Sequence, residues 1–210
     1  PVFSGVRLPA FAEPLAGTYS SVGVSRSGAD DWHDVGVTGR GVKVAVIDIG
    51  FAGYTSLINT DLPPSTLLHT KSFLSNASMG TSTHGTQVAQ TLYDMAPGIE
   101  LWLVTISTDL EFADAMDWLI AQDVDIINSS VGWLNYDDGD GNGAAGGANP
   151  LVDSVNRVDS AGILFVMAAG NQAFGHHEQT YADTAFDPLH PKYHNWAPTG
   201  TDIYNEIIGW

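Results

Sequence analysis

Short apolar blocks alternate along the middle of this chain with stretches whose apolar positions recur at helical spacing. Val42 to Ile47, Leu101 to Ile106, Val124 to Asn128 and Ile163 to Ala168 are blocks of the first kind and predict buried strands. Between them, His84 to Met95 sets Val88, Leu92 and Met95 on one helical face and stops at Pro97-Gly98. Thr108 with Glu111 forms a capping-box pattern, opening a helix in which Phe112, Met116, Leu119 and Ile120 return at helical spacing. Asn149-Pro150 offers an N-cap and a first-turn proline ahead of Leu151, Val152, Val155 and Val158, with Gly162 as the stop. Ala29 to Val35, closed by Gly36, predicts a short helical turn. Strands that alternate with helices predict an α/β fold: a doubly wound, mostly parallel sheet with helices on both faces.

Outside residues 28–171 the pattern fades. Residues 1–27 are rich in Gly, Pro and Ser and read as an extended N-terminal arm. After Asn171 the chain turns aromatic and rich in His and Pro, so residues 172–210 read as an insertion followed by the start of a further strand. No helix follows to cover the last strands. The fold is therefore expected to be C-terminally incomplete, with Val46 and Val166 poorly covered until the remaining C-terminal segment or another copy packs there.

Composition narrows the chemistry. The 210 residues are 44% hydrophobic, enough for one full core without a second domain. With no cysteine, any nucleophile must be a hydroxyl or an activated water. A formal charge of -17, from 7 Lys+Arg against 24 Asp+Glu, argues against nucleic acid and anionic membrane surfaces as partners. No apolar run is long enough to span a bilayer. The sequence begins at Pro1 without the charged and apolar regions of a signal peptide, so any leader is expected to have been removed or left out.

Three positions converge on one edge of such a sheet. Asp48 ends the strand Val42 to Ile47, His84 opens a helix, and Asn171 follows the strand that ends at Ala168. Functional groups gather beyond the carboxyl ends of parallel strands. A buried aspartate there can accept the Nδ1 proton of a histidine, whose Nε2 then takes a proton from a hydroxyl, while an asparagine amide donates to an oxyanion. Alone, the aspartate reads equally well as a turn former, the histidine more often as a helix-start residue, and the asparagine usually as a turn. Their conjunction carries the signal.

From about Gly28 to Asn171 the chain resembles the subtilisin-like serine proteases, whose triad runs in the order Asp, His, Ser. Gly41 to Gly50 resembles the family's aspartate strand, and His84-Gly85-Thr86-Gln87-Val88-Ala89 its histidine motif. Ser130-Val131-Gly132 resembles the segment that pairs with an extended substrate and walls one side of the specificity pocket. Ala168-Ala169-Gly170-Asn171 resembles the opposite wall and the oxyanion asparagine. The resemblance implies a secreted serine endopeptidase acting on peptide or protein substrates, with Asp48, His84 and Asn171 catalytic and no cofactor required for the chemistry.

Departures from the family pattern are specific. Ile49 stands where Thr or Ser is usual and would weaken hydrogen bonding around Asp48; Gln87 and Gln90 replace a common His and Gly. No Gly-Thr-Ser-x-Ala/Ser-x-Pro motif follows Asn171, so the nucleophile is expected outside this chain. Gly80-Thr81-Ser82 leads straight into the histidine motif and does not qualify; Ser129 and Ser130 sit on the substrate-pairing strand, where backbone pairing is the better reading. The rival function is a catalytically dead module that binds peptides by strand addition.

Two acidic or His-rich stretches raise the question of metals. Asp138, Asp140 and Asn142 match the opening of a calcium loop, but Asn149 replaces its closing Glu, so a structural calcium competes with a plain acidic insertion. His176, His177, Glu178, His190 and His194 could serve a metal-dependent hydrolase, though their spacing matches no known zinc site.

Overall fold

A computed structural model describes residues 21–133 and 150–168, all within one compact unit, Pro1–Gly170. Two short helices, α1 (Val22–Ser27) and α2 (Ala29–Asp34), lead into β1 (Lys43–Asp48). Then follow β2 (Leu68–Ser72), α3 (His84–Met95), β3 (Glu100–Thr105), α4 (Asp109–Ala121), β4 (Ile126–Ser129), α5 (Pro150–Ser160) and β5 (Leu164–Met167). The strands form one parallel sheet in the order β2-β3-β1-β4-β5. Chain order jumps across β1 between β3 and β4, so the carboxyl end of β1 stands where the winding reverses, the place at which open α/β sheets form their crevice.

Period-two alternation assigns the two faces of the sheet. Ala45 and Ile47 of β1, with Trp102 and Val104 of β3, pack against Phe112, Met116 and Leu119 of α4 and Val158 of α5. Val44 and Val46 point the other way, with Leu101 and Leu103, against Ala89 of α3. Asp48 shares the parity of Val44 and Val46, so its side chain emerges on the α3 face. Helix α4 begins as its sequence predicts: Thr108 accepts the Glu111 backbone N–H at 3.2 Å, and the Glu111 carboxylate accepts the Thr108 backbone N–H at 3.0 Å.

Two expectations need correction, and one strand goes beyond them. Residues 22–27 are helical, not part of an extended arm; Gly28 closes this helix in a left-handed conformation, and Val24 is buried beneath it. Residues 68–72 form an edge strand that the hydrophobic pattern does not announce. Val46 is fully buried, because α3 and its neighbours already cover the middle of the sheet. Val166, by contrast, is 44% exposed, with Leu164 and Met167 exposed beside it. On the α3 face an apolar groove of about 310 Å³ opens between Val42, Val44, Leu92, Met95, Ile126 and Val166.

Candidate active site

Asp48 is the last residue of β1 and is wholly buried. A carboxylate there costs free energy unless its oxygens are paired, and both are. Oδ1 accepts the Ile49 backbone N–H at 2.8 Å, and Oδ2 accepts Nδ1–H of His84 at 2.6 Å. At position 49 it is the backbone, not the exposed isoleucine side chain, that donates to Asp48. A carboxylate has no proton to give, so Nδ1 carries it and Nε2 of a neutral imidazole keeps its lone pair. The His84 side chain is 49% exposed, with Nδ1 committed to the buried carboxylate.

Local sequence explains why the two meet. Gly85, next to the histidine, packs so tightly that an added Cβ would lie 2.7 Å from the Asp48 Cβ and 2.6 Å from the Gly50 carbonyl oxygen. Only glycine permits that approach. The Gly85 N–H donates to that same oxygen at 3.0 Å, and Thr86 Oγ1 donates to the Ala52 carbonyl at 3.0 Å. The first turn of α3 is thus fastened to the chain leaving β1.

Ser130, Val131 and Gly132 follow β4 directly, without regular secondary structure. Ala168 follows β5, and its N–H donates to the Ser129 carbonyl at 3.0 Å, so the bases of the two expected pocket walls are hydrogen-bonded neighbours. The Ser130 hydroxyl accepts from Asn128 Nδ2 at 3.1 Å. Ser129 is fully buried and its hydroxyl has no hydrogen-bond partner, an environment closed to a substrate carbonyl. The Ser82 hydroxyl accepts the His84 backbone N–H at 3.1 Å, a local contact at the start of α3.

Ala169, Gly170 and Asn171 lie outside the described residues, as do Asp138, Asp140, Asn142 and the His-rich stretch from His176 to His194. Among the described residues no three His, Asp or Glu side chains gather as a metal site, and no helix is long and apolar enough to cross a membrane. The motifs mark Asp48 and His84 in the sequence, but not the contacts of Gly85 and Thr86 with the chain after β1.

The subtilase family model matches residues 39–189, more than half of the chain. The thermostable alkaline protease of Halalkalibacterium halodurans is 29% identical over 166 residues, covering 71% of this chain and 41% of that protein. Subtilisin E of Bacillus subtilis is 29% identical over 168 residues, covering 71% and 39%. The chain therefore spans about two fifths of the length of these relatives. Among solved structures, a lanthipeptide protease shares the fold at a TM-score of 0.51 with 17% identity, over 71% of this chain and 45% of its own. The chain belongs to the subtilase family.

Proposed function

We propose that this chain is the aspartate- and histidine-bearing part of a secreted serine endopeptidase, whose nucleophilic serine lies outside the 210 residues. The observation that carries the reading is the 2.6 Å hydrogen bond from His84 Nδ1 to a wholly buried Asp48 carboxylate, on an imidazole that is itself half exposed. In this reading Asp48 holds the tautomer and stabilises the imidazolium, and His84 takes the proton of a serine hydroxyl as it attacks the peptide carbonyl. His84 then returns the proton to the leaving amine. Asn171 donates to the oxyanion, a contribution of about 3 kcal/mol in comparable sites. A peptide or protein substrate lies as an added strand along Ser130 to Gly132, opposite Ala168 to Gly170.

Relatives support the reading by name: one matched protein is the minor extracellular protease of Bacillus subtilis. The proposed acyl transfer uses a hydroxyl, an imidazole and an amide, and needs no cofactor; a calcium ion at Asp138, Asp140 and Asn142 would be structural. The charge of -17 disfavours nucleic acid and anionic membranes as partners. The apolar groove beside Val166 is covered, in this reading, by the remaining C-terminal segment or by another copy.

The test is peptide hydrolysis by the protein encoded by the full reading frame. His84→Ala should lower kcat by about 10⁴-fold or more, since the base acts as a unit with its serine. A full-length protein that binds peptides but hydrolyses none would instead establish the peptide-binding module.

A further inference from the structure

Gly80-Thr81-Ser82 has the letters of a nucleophile motif but no such role, and its geometry suggests another. Gly80 adopts φ +73°, in the left-handed region. A Cβ built on it would lie 2.5 Å from the Ile49 carbonyl oxygen and 2.7 Å from the Gly50 Cα. Both obstacles are backbone at the end of β1, so they cannot swing aside as a flexible side chain would. Gly50 is equally close on its own side, where an added Cβ would sit 2.7 Å from the Ser82 nitrogen.

Around these contacts the two segments are laced together. The Phe51 N–H donates to the Met79 carbonyl at 2.7 Å, the Ala52 N–H to the Ser82 carbonyl at 2.9 Å, and the Gly85 N–H to the Gly50 carbonyl at 3.0 Å. Thr86 Oγ1 adds its bond to the Ala52 carbonyl. The bonded positions follow Asp48 directly on one segment, at Gly50 to Ala52, and lie on both sides of His84 on the other. We infer that Gly80 is a positioning residue: its backbone-to-backbone approach to Ile49 and Gly50 seats the Met79–Thr86 segment so that His84 Nδ1 reaches Asp48. The inference rests on the proposed acid–base pairing of those two residues, and assigns the accuracy of that pairing to a residue that touches neither.

The test compares Gly80→Ala, Thr86→Val and Gly53→Ala in the purified protein. Gly53 also has positive φ, +85°, in the loop after β1, but an added Cβ would meet nothing within 4 Å. Its alanine variant therefore carries the conformational strain without the collision. Thr86→Val is nearly isosteric and removes one clasp hydrogen bond with no clash, which keeps the test open should Gly80→Ala not fold. The readout is the imidazole Nδ1 proton of His84 by ¹H–¹⁵N NMR, with melting temperature alongside. Loss of that resonance in Gly80→Ala, its broadening by solvent exchange in Thr86→Val, and its retention in Gly53→Ala are expected. In the full-length enzyme Gly80→Ala should lower kcat by about 10²-fold, the scale of a 1 Å misplacement, with KM little changed. An unchanged resonance in a folded Gly80→Ala protein, or in Thr86→Val where Gly80→Ala does not fold, overturns the inference. A wild-type protein with no Nδ1 proton donated to a carboxylate overturns the underlying pairing instead.

Discussion

Replacing Asp48 by asparagine isolates what the carboxylate does, because the two side chains have nearly the same shape. In the native site Oδ1 is committed to the Ile49 N–H at 2.8 Å and Oδ2 to His84 Nδ1 at 2.6 Å. Asparagine keeps one acceptor. If its oxygen serves the fixed Ile49 N–H, the amide NH₂ faces Nδ1, which must then accept, moving the imidazole proton to Nε2. The reverse orientation sets NH₂ against the part-buried Ile49 N–H and costs about 1–3 kcal/mol for the unsatisfied group. The first arrangement is thus favoured by roughly five- to 150-fold, and in it His84 can no longer take a proton from a hydroxyl. Selective ¹⁵N labelling of histidine reads the tautomer directly, and a His84→Gln sample assigns the signal among the 7 histidines. In the full-length enzyme Asp48→Asn should lower kcat by about 10⁴-fold, the loss the same substitution causes in a chymotrypsin-type triad. Persistence of the Nδ1–H tautomer in Asp48→Asn, or a rate within tenfold of wild type, would refute the reasoning.

Other expectations concern stability and assembly. Thr108→Ala removes one arm of the α4 capping box and should cost about 1 kcal/mol, lowering the melting temperature by roughly 2–4 °C for a chain of this size; an unchanged melting temperature would mean the box is redundant. The 210-residue chain by itself should not remain a lone monomer, given the apolar groove beside Val166 and the exposed Leu164 and Met167. Native light scattering with denaturing intact-mass analysis should show self-association or a companion fragment, and a monodisperse monomer without either would contradict this.

How much the sequence announced follows from where the signals arise. Strands β1 and β3 are buried on both faces, which makes them nearly continuous apolar runs legible as blocks, while β4 shows only the short pair Ile126-Ile127. Strand β2 sits at the sheet edge with one buried residue, Leu68, and polar His69, Thr70, Lys71 and Ser72 after it. Its pairing with β3, not its composition, makes it a strand. Helix α1 was hidden for a related reason: it is one and a half turns long, contains Gly23, and is held by Val24 packing and the Gly28 cap. Asp48 and His84 were legible because short motifs bind them to a strand end and a helix start. Gly80 was not, because the demand for glycine there comes from Ile49 and Gly50, a long-range contact that no local pattern encodes.

Under the proposed function, Asp48 and His84 serve a serine supplied by polypeptide beyond these 210 residues. Labelling with a serine-directed fluorophosphonate followed by peptide mapping tests it most directly, run in parallel on the 210-residue chain and on the full-length protein. No mass shift on the 210-residue chain is expected, together with a single adduct on a serine past Trp210 of the full-length protein that His84→Ala suppresses. A stoichiometric adduct on any serine within the 210 residues, or a full-length protein that never reacts, would contradict the account.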